Sequence, residues 1–330
     1  MNTYLNFGNA KCFDFVRECL NACVVDHDCG CDDPPQLPTR LLDVDTSDPK
    51  RICLVATADL LAAGENVEKF TALSYCWGPV DAFTTTPALL AERMEGIAVA
   101  DMPDTLRDAF SSPENSAAAT YGSTRFSVYG QAFCTIVAAW SRDCYGGLFH
   151  ITQPSDSGRL SSGRSLELFK DQPINSRAWA LQEWLLSPRL LVYTHNDLLF
   201  FSGRTMLSKN QLDYSAAWHM HPIYKYRLPR YPAQPALDQW FNMVQNYSAR
   251  DLTDPEDMLP AIAGLARRFH DLTGTSSGQY LAGMWREDLF ASLLWRRQDA
   301  WGAFLAIPDH SVLEWYRAPS WSWAAGDGLV

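Results

Sequence analysis

No apolar run in this chain approaches the roughly 20 residues that a bilayer-spanning helix needs. The longest, such as Leu185–Leu186 and Arg189 to Tyr193, stop far short. The opening MNTYLNFGNAKCFDFVREC has no basic region followed by an apolar one, so no signal peptide is read there. A cytoplasmic setting is expected, where thiols stay reduced. Cations are the scarcer charge: 27 Lys and Arg stand against 38 Asp and Glu, for a net charge of -11 and a pI near 5. No basic stripe interleaved with aromatics is present, and nucleic acid is excluded as the main partner, because phosphate binding needs concentrated positive charge. There is no G-x-S-x-G elbow, which excludes the common serine hydrolases. No Gly-rich phosphate fingerprint marks a nucleotide site, and no internal repeat was found.

The 330 residues are 47% hydrophobic and 20% charged, a globular composition long enough for one large domain or two ordinary ones. Nine cysteines and twelve tryptophans are the unusual counts. Cys12, Cys19, Cys23, Cys29 and Cys31 crowd the start, with His27 among them. Cys23-x3-His27-x-Cys29-x-Cys31 offers the N and S donors that tetrahedral zinc uses. However, it holds no C-x2-C pair and matches no common zinc spacing. Free thiols, with no metal, are the expectation. Cys76 and Cys134 lie in apolar text and read as inert.

The chain reads as organised around Ser176 to Arg189, SRAWALQEWLLSPR. Ser176 is a good N-cap, Ala178, Leu181 and Leu185 form one apolar stripe, and Ser187-Pro188 ends the helix. Trp179, Gln182, Glu183 and Leu186 make a second face carrying one carboxylate. Glu183 reads either as a core acid tied to an arginine, since buried acids are paired, or as a site acid. In the first case Arg177 is a poor partner on an ideal helix, about 120° round, which leaves Arg189 or Arg317.

Upstream, residues 11 to 25 predict a helix, residues 37 to 44 and Ile52 to Ala56 extended chain, and Phe70 to Gly78 a buried central strand. Pro103 to Phe110 opens a short helix, Ser111 to Thr124 reads as a surface loop, and Cys134 to Ala139 as a strand. Leu190 to Thr194 and Leu198 to Ser202 predict a hairpin. Ser155 to Ser165 and His221 to Pro235 look irregular. Downstream, Trp240 to Tyr247 predicts a helix. Thr253-Asp254-Pro255-Glu256 reads as a capping box, with the true helix start near Pro260. Tyr280 to Trp295 is read as an amphipathic helix and Arg317 to Ala324 as extended aromatic text.

Taken in order, Leu37 to Asp43 (LPTRLLD), Ala72 to Gly78 (ALSYCWG), Met102 to Ala109 (MPDTLRDA), Arg177 to Glu183 (RAWALQE), Tyr247 to Thr253 (YSARDLT), Gly283-Met284-Trp285 and Arg317 to Trp323 (RAPSWSW) resemble the fungal heterokaryon-incompatibility (HET) domain family. The likeness runs from about residue 16 to residue 328. It implies a role in non-self recognition and regulated cell death, through protein partners or self-association. It also implies an α/β domain remotely similar to TIR domains: a central, largely parallel sheet flanked by helices, with a Trp-rich α+β C-terminal extension. The implied division is a Cys-rich helical lead-in at 1–36, an incomplete HET domain at 37–203 and a helical or irregular region at 204–330. Some TIR domains cleave NAD with a glutamate and others only assemble. On that comparison Ser74, Tyr75, Trp77 and Gly78 would lie near a nucleotide, and Glu183 is the acid left to act. Arg177, Trp179, Gln182, Arg317, Trp321 and Trp323 are family motif positions.

The chain departs from the family after residue 110. There Ser111 to Thr124 replaces a tract that usually carries a buried strand and an acid-bearing helix, and the family pattern continues beyond Val330. The lost acid favours a non-catalytic signalling module over a TIR-like NAD glycohydrolase, with no cofactor and NAD only as a possible substrate. Purified protein is expected to contain no stoichiometric zinc by elemental analysis; one zinc per chain would overturn the free-thiol reading of the N-terminal cysteines.

Overall fold

A computed structural model describes residues 5–26, 29, 36–44, 48, 50–67, 69–78, 83–111, 118–119, 125–149, 151–152, 172–195, 197–203, 205–209, 236–273, 279–296 and 316–326. The irregular stretches expected at Ser155 to Ser165 and His221 to Pro235 lie outside them. The chain forms two units: Met1–Ile174 with Ser187–His219, and Asn175–Leu186 with Met220–Val330. Among the described residues no helix is long and apolar enough to cross a membrane.

Unit 1 is α/β. Its strands are β1 (Leu5–Asn6), β2 (Arg40–Asp43), β3 (Arg51–Ala56), β4 (Thr71–Tyr75), β5 (Ile97–Ala98), β6 (Ala118–Ala119), β7 (Cys134–Ala138), β8 (Ile151–Thr152), β9 (Arg189–Tyr193), β10 (Leu198–Ser202) and β11 (Met206–Ser208). Nine of them form one sheet in the order β11-β10-β9-β7-β4-β6-β2-β3-β5. The centre, β6-β4-β7-β9, is parallel, and both flanks are antiparallel. The sheet is therefore mixed rather than largely parallel, because short hairpins build its two ends. Every residue of β7, β9 and β10 is buried, as expected for strands covered on both faces and written as continuous apolar runs.

The helices of this unit are α1 (Ala10–Asp26), α2 (Thr57–Ala62), α3 (Leu90–Glu95), α4 (Asp104–Phe110) and α5 (Arg125–Gln131). α1 buries Cys12, Val16, Cys19, Leu20 and Cys23 along one stripe. One reading from sequence needs correction here. Ser111 to Thr124 is not simply a surface loop, because Ala118–Ala119 enters the sheet between β4 and β2. In addition, residues 125–131 are helical, which the composition of that stretch did not announce.

Unit 2 is built on α6 (Ala178–Leu186), α7 (Ala236–Ser248), α8 (Pro260–Thr273) and α9 (Leu289–Ser292), with the hairpin β12 (Tyr280–Leu281) and β13 (Met284–Trp285). Asp254, not Thr253, caps the short turn Pro255–Met258 by accepting from the Glu256 amide at 2.9 Å. Pro260 then opens α8, where its missing N–H costs nothing. The helix expected over Tyr280 to Trp295 is reduced to the 3-10 turn Arg286–Asp288 and the four residues of α9, because the hairpin takes up its first part. Ala282 and Gly283 adopt φ of 45° and 94°, which turn the chain back on itself. The extended reading of Arg317 to Ala324 also fails, since that stretch is a series of turns ending in the 3-10 segment Trp323–Ala325.

Gly283 is held from two sides. The indoles of Trp240 and Trp323 both donate to its carbonyl at 3.0 Å, using both acceptor lone pairs. A Cβ at this position would lie 2.6 Å from Trp323 Nε1. Gly283→Ala therefore combines a left-handed backbone with overpacking and is expected to destabilise unit 2 by about 2–3 kcal/mol. Urea unfolding followed by tryptophan fluorescence tests this; an unchanged midpoint would refute the account of the turn.

Candidate functional site

The residues singled out by sequence fall in different units: Ser74, Tyr75, Trp77 and Gly78 in unit 1, and Glu183 in unit 2. In unit 1, Ser74 and Tyr75 end β4 and are both buried, Tyr75 within the main apolar core. Trp77 is half-buried beyond the strand end. Gly78 turns the chain with φ of 79°, and a Cβ there would meet Asp143 Cβ at 2.4 Å. The glycine is thus required both by backbone conformation and by close approach of the loop after β7.

That loop is fixed by α4. Asp108 Oδ2 accepts from the amides of Leu148 at 2.7 Å and Phe149 at 3.1 Å. Thr105 Oγ1 accepts from Gly147 N at 3.0 Å, and the Thr105 amide donates to Cys144 O. The aspartate of MPDTLRDA is therefore occupied in holding backbone. Asp197 does similar work between β9 and β10: fully buried, it accepts from Leu198 N at 2.8 Å and Ser208 Oγ at 2.5 Å.

A cavity of about 360 Å³ opens beside Trp77, floored by Leu42, Leu54 and Leu106 and bordered by Arg40, Arg93 and Phe83. No carboxylate is among its described lining residues. Sequence reasoning found only Trp77 of this set. Arg40 lies in the LPTRLLD stretch but was not singled out as a site residue, Arg93 lies in no motif, and only folding puts them on one cavity.

In unit 2, Glu183 is 3% exposed, and its Oε2 lies 3.8 Å from Nη1 of Arg177. The expectation of a buried acid facing an arginine holds, but its partner is the one set aside. Arg177 precedes the helix, in a parallel bridge with Asp251: Ala178 N donates to Asp251 O at 2.9 Å, and Asp251 N to Ser176 O at 2.5 Å. The 100°-per-residue argument therefore does not apply to it. Of the other two candidates, Arg189 donates to Phe133 O at 3.0 Å and Cys23 Sγ at 3.3 Å. Arg317 donates to Ala324 O at 2.7 Å.

The remaining motif positions join separate segments of unit 2. Trp179 Nε1 donates to Asp257 at 2.8 Å, Gln182 Oε1 accepts from Gly264 N at 2.8 Å, and Arg250 Nη1 donates to Arg177 O at 3.3 Å. Burial lowers the Arg250 guanidinium to about 10. Trp323 reaches Gly283, whereas Trp321 is partly exposed and offers its carbonyl to Trp295 Nε1 at 2.9 Å. A second cavity, about 420 Å³, lies among Trp240, Phe241, Met284, Ser292, Trp295 and Trp323.

Of the described N-terminal thiols, Cys12, Cys19 and Cys23 are buried in the core, and Cys29 is partly buried beside Cys23. Burial pushes Cys19 up to about 12 and raises Cys12 and Cys23, with the nearby Arg189 partly opposing the shift at Cys23. Among the described residues no group of three or more His, Cys, Asp or Glu is placed to hold a metal; His27 and Cys31 lie outside them. Comparison with family models, with curated proteins and with solved structures returns no match.

Glu183→Ala strands a partly exposed Arg177 in the core of unit 2. It is expected to cost about 3 kcal/mol, the low end for breaking a buried pair because Arg177 keeps some solvent. Thermal melting of the variant should show a clear drop; a melt like the parent's would remove Glu183 from the structural role.

Proposed function

We propose that this chain is a HET-type module of fungal non-self recognition and cell-death signalling. It acts in the cytoplasm through self-association or protein contact, and it does not cleave NAD. The observation that carries the reading is the position of Glu183. Cleavage of a glycosidic bond through an oxocarbenium-like centre calls for a carboxylate at the scissile bond. The acid that the resemblance leaves for this task is packed in unit 2 against Arg177, and it lines neither cavity. The cavity beside Trp77 has no described carboxylate at all.

The TIR-like part of the reading is supported by the parallel centre of the unit 1 sheet, with β4 carrying the ALSYCWG motif between β6 and β7. The Trp-rich extension is supported by unit 2, where the indole N–H groups of Trp179, Trp240 and Trp323 join separate segments. In this reading the RAWALQE and RAPSWSW motifs specify a scaffold. Unit 1 binds and unit 2 supports.

Incubation of the purified chain with NAD is expected to release no nicotinamide above the buffer rate. Expression in a filamentous fungal host is expected to arrest growth all the same. Turnover of NAD that Glu183→Gln abolishes while the fold is kept would convert the reading into the glycohydrolase one.

A further inference from the structure

The cavity beside Trp77 has a chemistry of its own. On β2, Arg40 and Leu42 are two residues apart and share one face of the sheet. On α3, Leu90 and Arg93 are three apart and share one face of the helix. The segment between Trp77 and α3 adds Phe83 and the hydroxyls of Thr84, Thr85 and Thr86. Two arginines, three threonines and three large aromatics, Trp77, Phe83 and Phe110, thus line one cavity with aliphatic side chains.

Among the described residues neither guanidinium makes an ion pair. Arg93 lies over the Phe83 ring at 4.2 Å and donates from Nη1 to Thr85 Oγ1 at 2.9 Å. Burial lowers its pKa from the ordinary value, and the neighbouring Glu92 carboxylate partly opposes that shift. Arg40 makes no hydrogen bond and no ion pair among the described residues. A guanidinium carries five donors in a planar fork that matches carboxylate or phosphate oxygens. The rest of the molecule carries an excess of acid, with a net charge of -11. Carboxylate side chains were therefore plentiful, yet no described one lines this cavity.

We propose that this cavity binds a small organic anion: a flat apolar body resting on Leu42, Leu54 and Leu106 beside Trp77 and Phe83, with a phosphate or carboxylate group held by Arg40 and Arg93. Its volume, about 360 Å³, lies within the range of small-ligand sites. The inference rests on reading unit 1 as a module that binds without cleaving, and it names the class of ligand.

Calorimetric titration of the full chain with 1-naphthyl phosphate, 1-naphthoate and 1-naphthol tests it. The three probes share a ring system and differ in head group. At least one of the two anions should bind about tenfold or more tightly than the uncharged naphthol, the preference that a charged hydrogen bond confers. The tighter of the two identifies phosphate or carboxylate as the head group. Arg40→Gln should remove about tenfold of the anion's affinity and leave that of naphthol unchanged. This variant is chosen because the Arg40 side chain makes no hydrogen bond or ion pair among the described residues, so the parent's melting curve should be kept; Arg93→Gln is the companion, checked in the same way. Naphthol binding as tightly as the anions, anion affinity undiminished in both variants, or no saturable binding up to millimolar probe would each overturn the proposal. A chain that fails in this way but still arrests growth keeps the signalling function and loses only the ligand.

Discussion

Strands buried on both faces impose the strictest condition on unit 1. β7, β9 and β10 expose no residue, so every backbone group must find a partner and every side chain a cover. The ladder meets the first demand through parallel pairing of β7 with β4 and β9, and antiparallel pairing of β9 with β10. The second falls to flanking elements such as α1, whose apolar stripe joins the same core as Ile136, Leu191 and Phe200. Arg189 shows how tightly the condition binds. It is 3% exposed at the head of β9, and its charge is met by a carbonyl, a thiol and the ring of Phe133 at 4.8 Å. One side chain thereby ties β9 to α1 and to the residue preceding β7. With the strands fixed this rigidly, the variable chemistry is left to the segments beyond their ends, where Trp77 and Gly78 stand.

Unit 2 meets its own demand differently. It has little sheet, and its separate segments are joined by single side chains that reach backbone: Gln182 to α8, Tyr247 to Met258 O at 2.6 Å, Ser322 to Ala282 O at 2.6 Å, and two indoles to one glycine carbonyl. Each of these bonds is buried or partly buried, where an unmet donor or acceptor is costly. A fold held in this way tolerates few exchanges at the joining positions. That is a physical reason for tryptophan and glutamine to stand at these positions.

Much of this was legible in the sequence, for reasons that differ by element. Continuous apolar text gave β4, β7 and the β9–β10 hairpin; one-sided periodicity gave α1 and α8; Pro260 gave the start of the last. Four features were not legible. The helix read over Tyr280 to Trp295 failed because one Ala-Gly pair at positive φ outweighs a favourable apolar period. Arg177 was misjudged as a partner of Glu183 because its strand-like bridge to Asp251 is a contact of long sequence separation. The cavity was missed because Arg40 and Arg93 come from separate elements, so spacing along the chain carries no sign of it. The two-residue β6 hid in small polar text, since a strand that short has no period to read.

Both units are discontinuous, and α6 is where this matters during synthesis. The helix leaves the ribosome between two portions of unit 1, yet the partners of its apolar face, Trp240, Ile262 and Leu265, belong to α7 and α8. At bacterial-to-eukaryotic elongation rates, on the order of ten seconds separate the appearance of α6 from that of its last partner. Through that interval Ala178, Leu181 and the Glu183 carboxylate have no completed core to enter. The nascent chain therefore carries an exposed amphipathic segment at its midpoint, a feature that chaperones meet before any partner of the finished protein does.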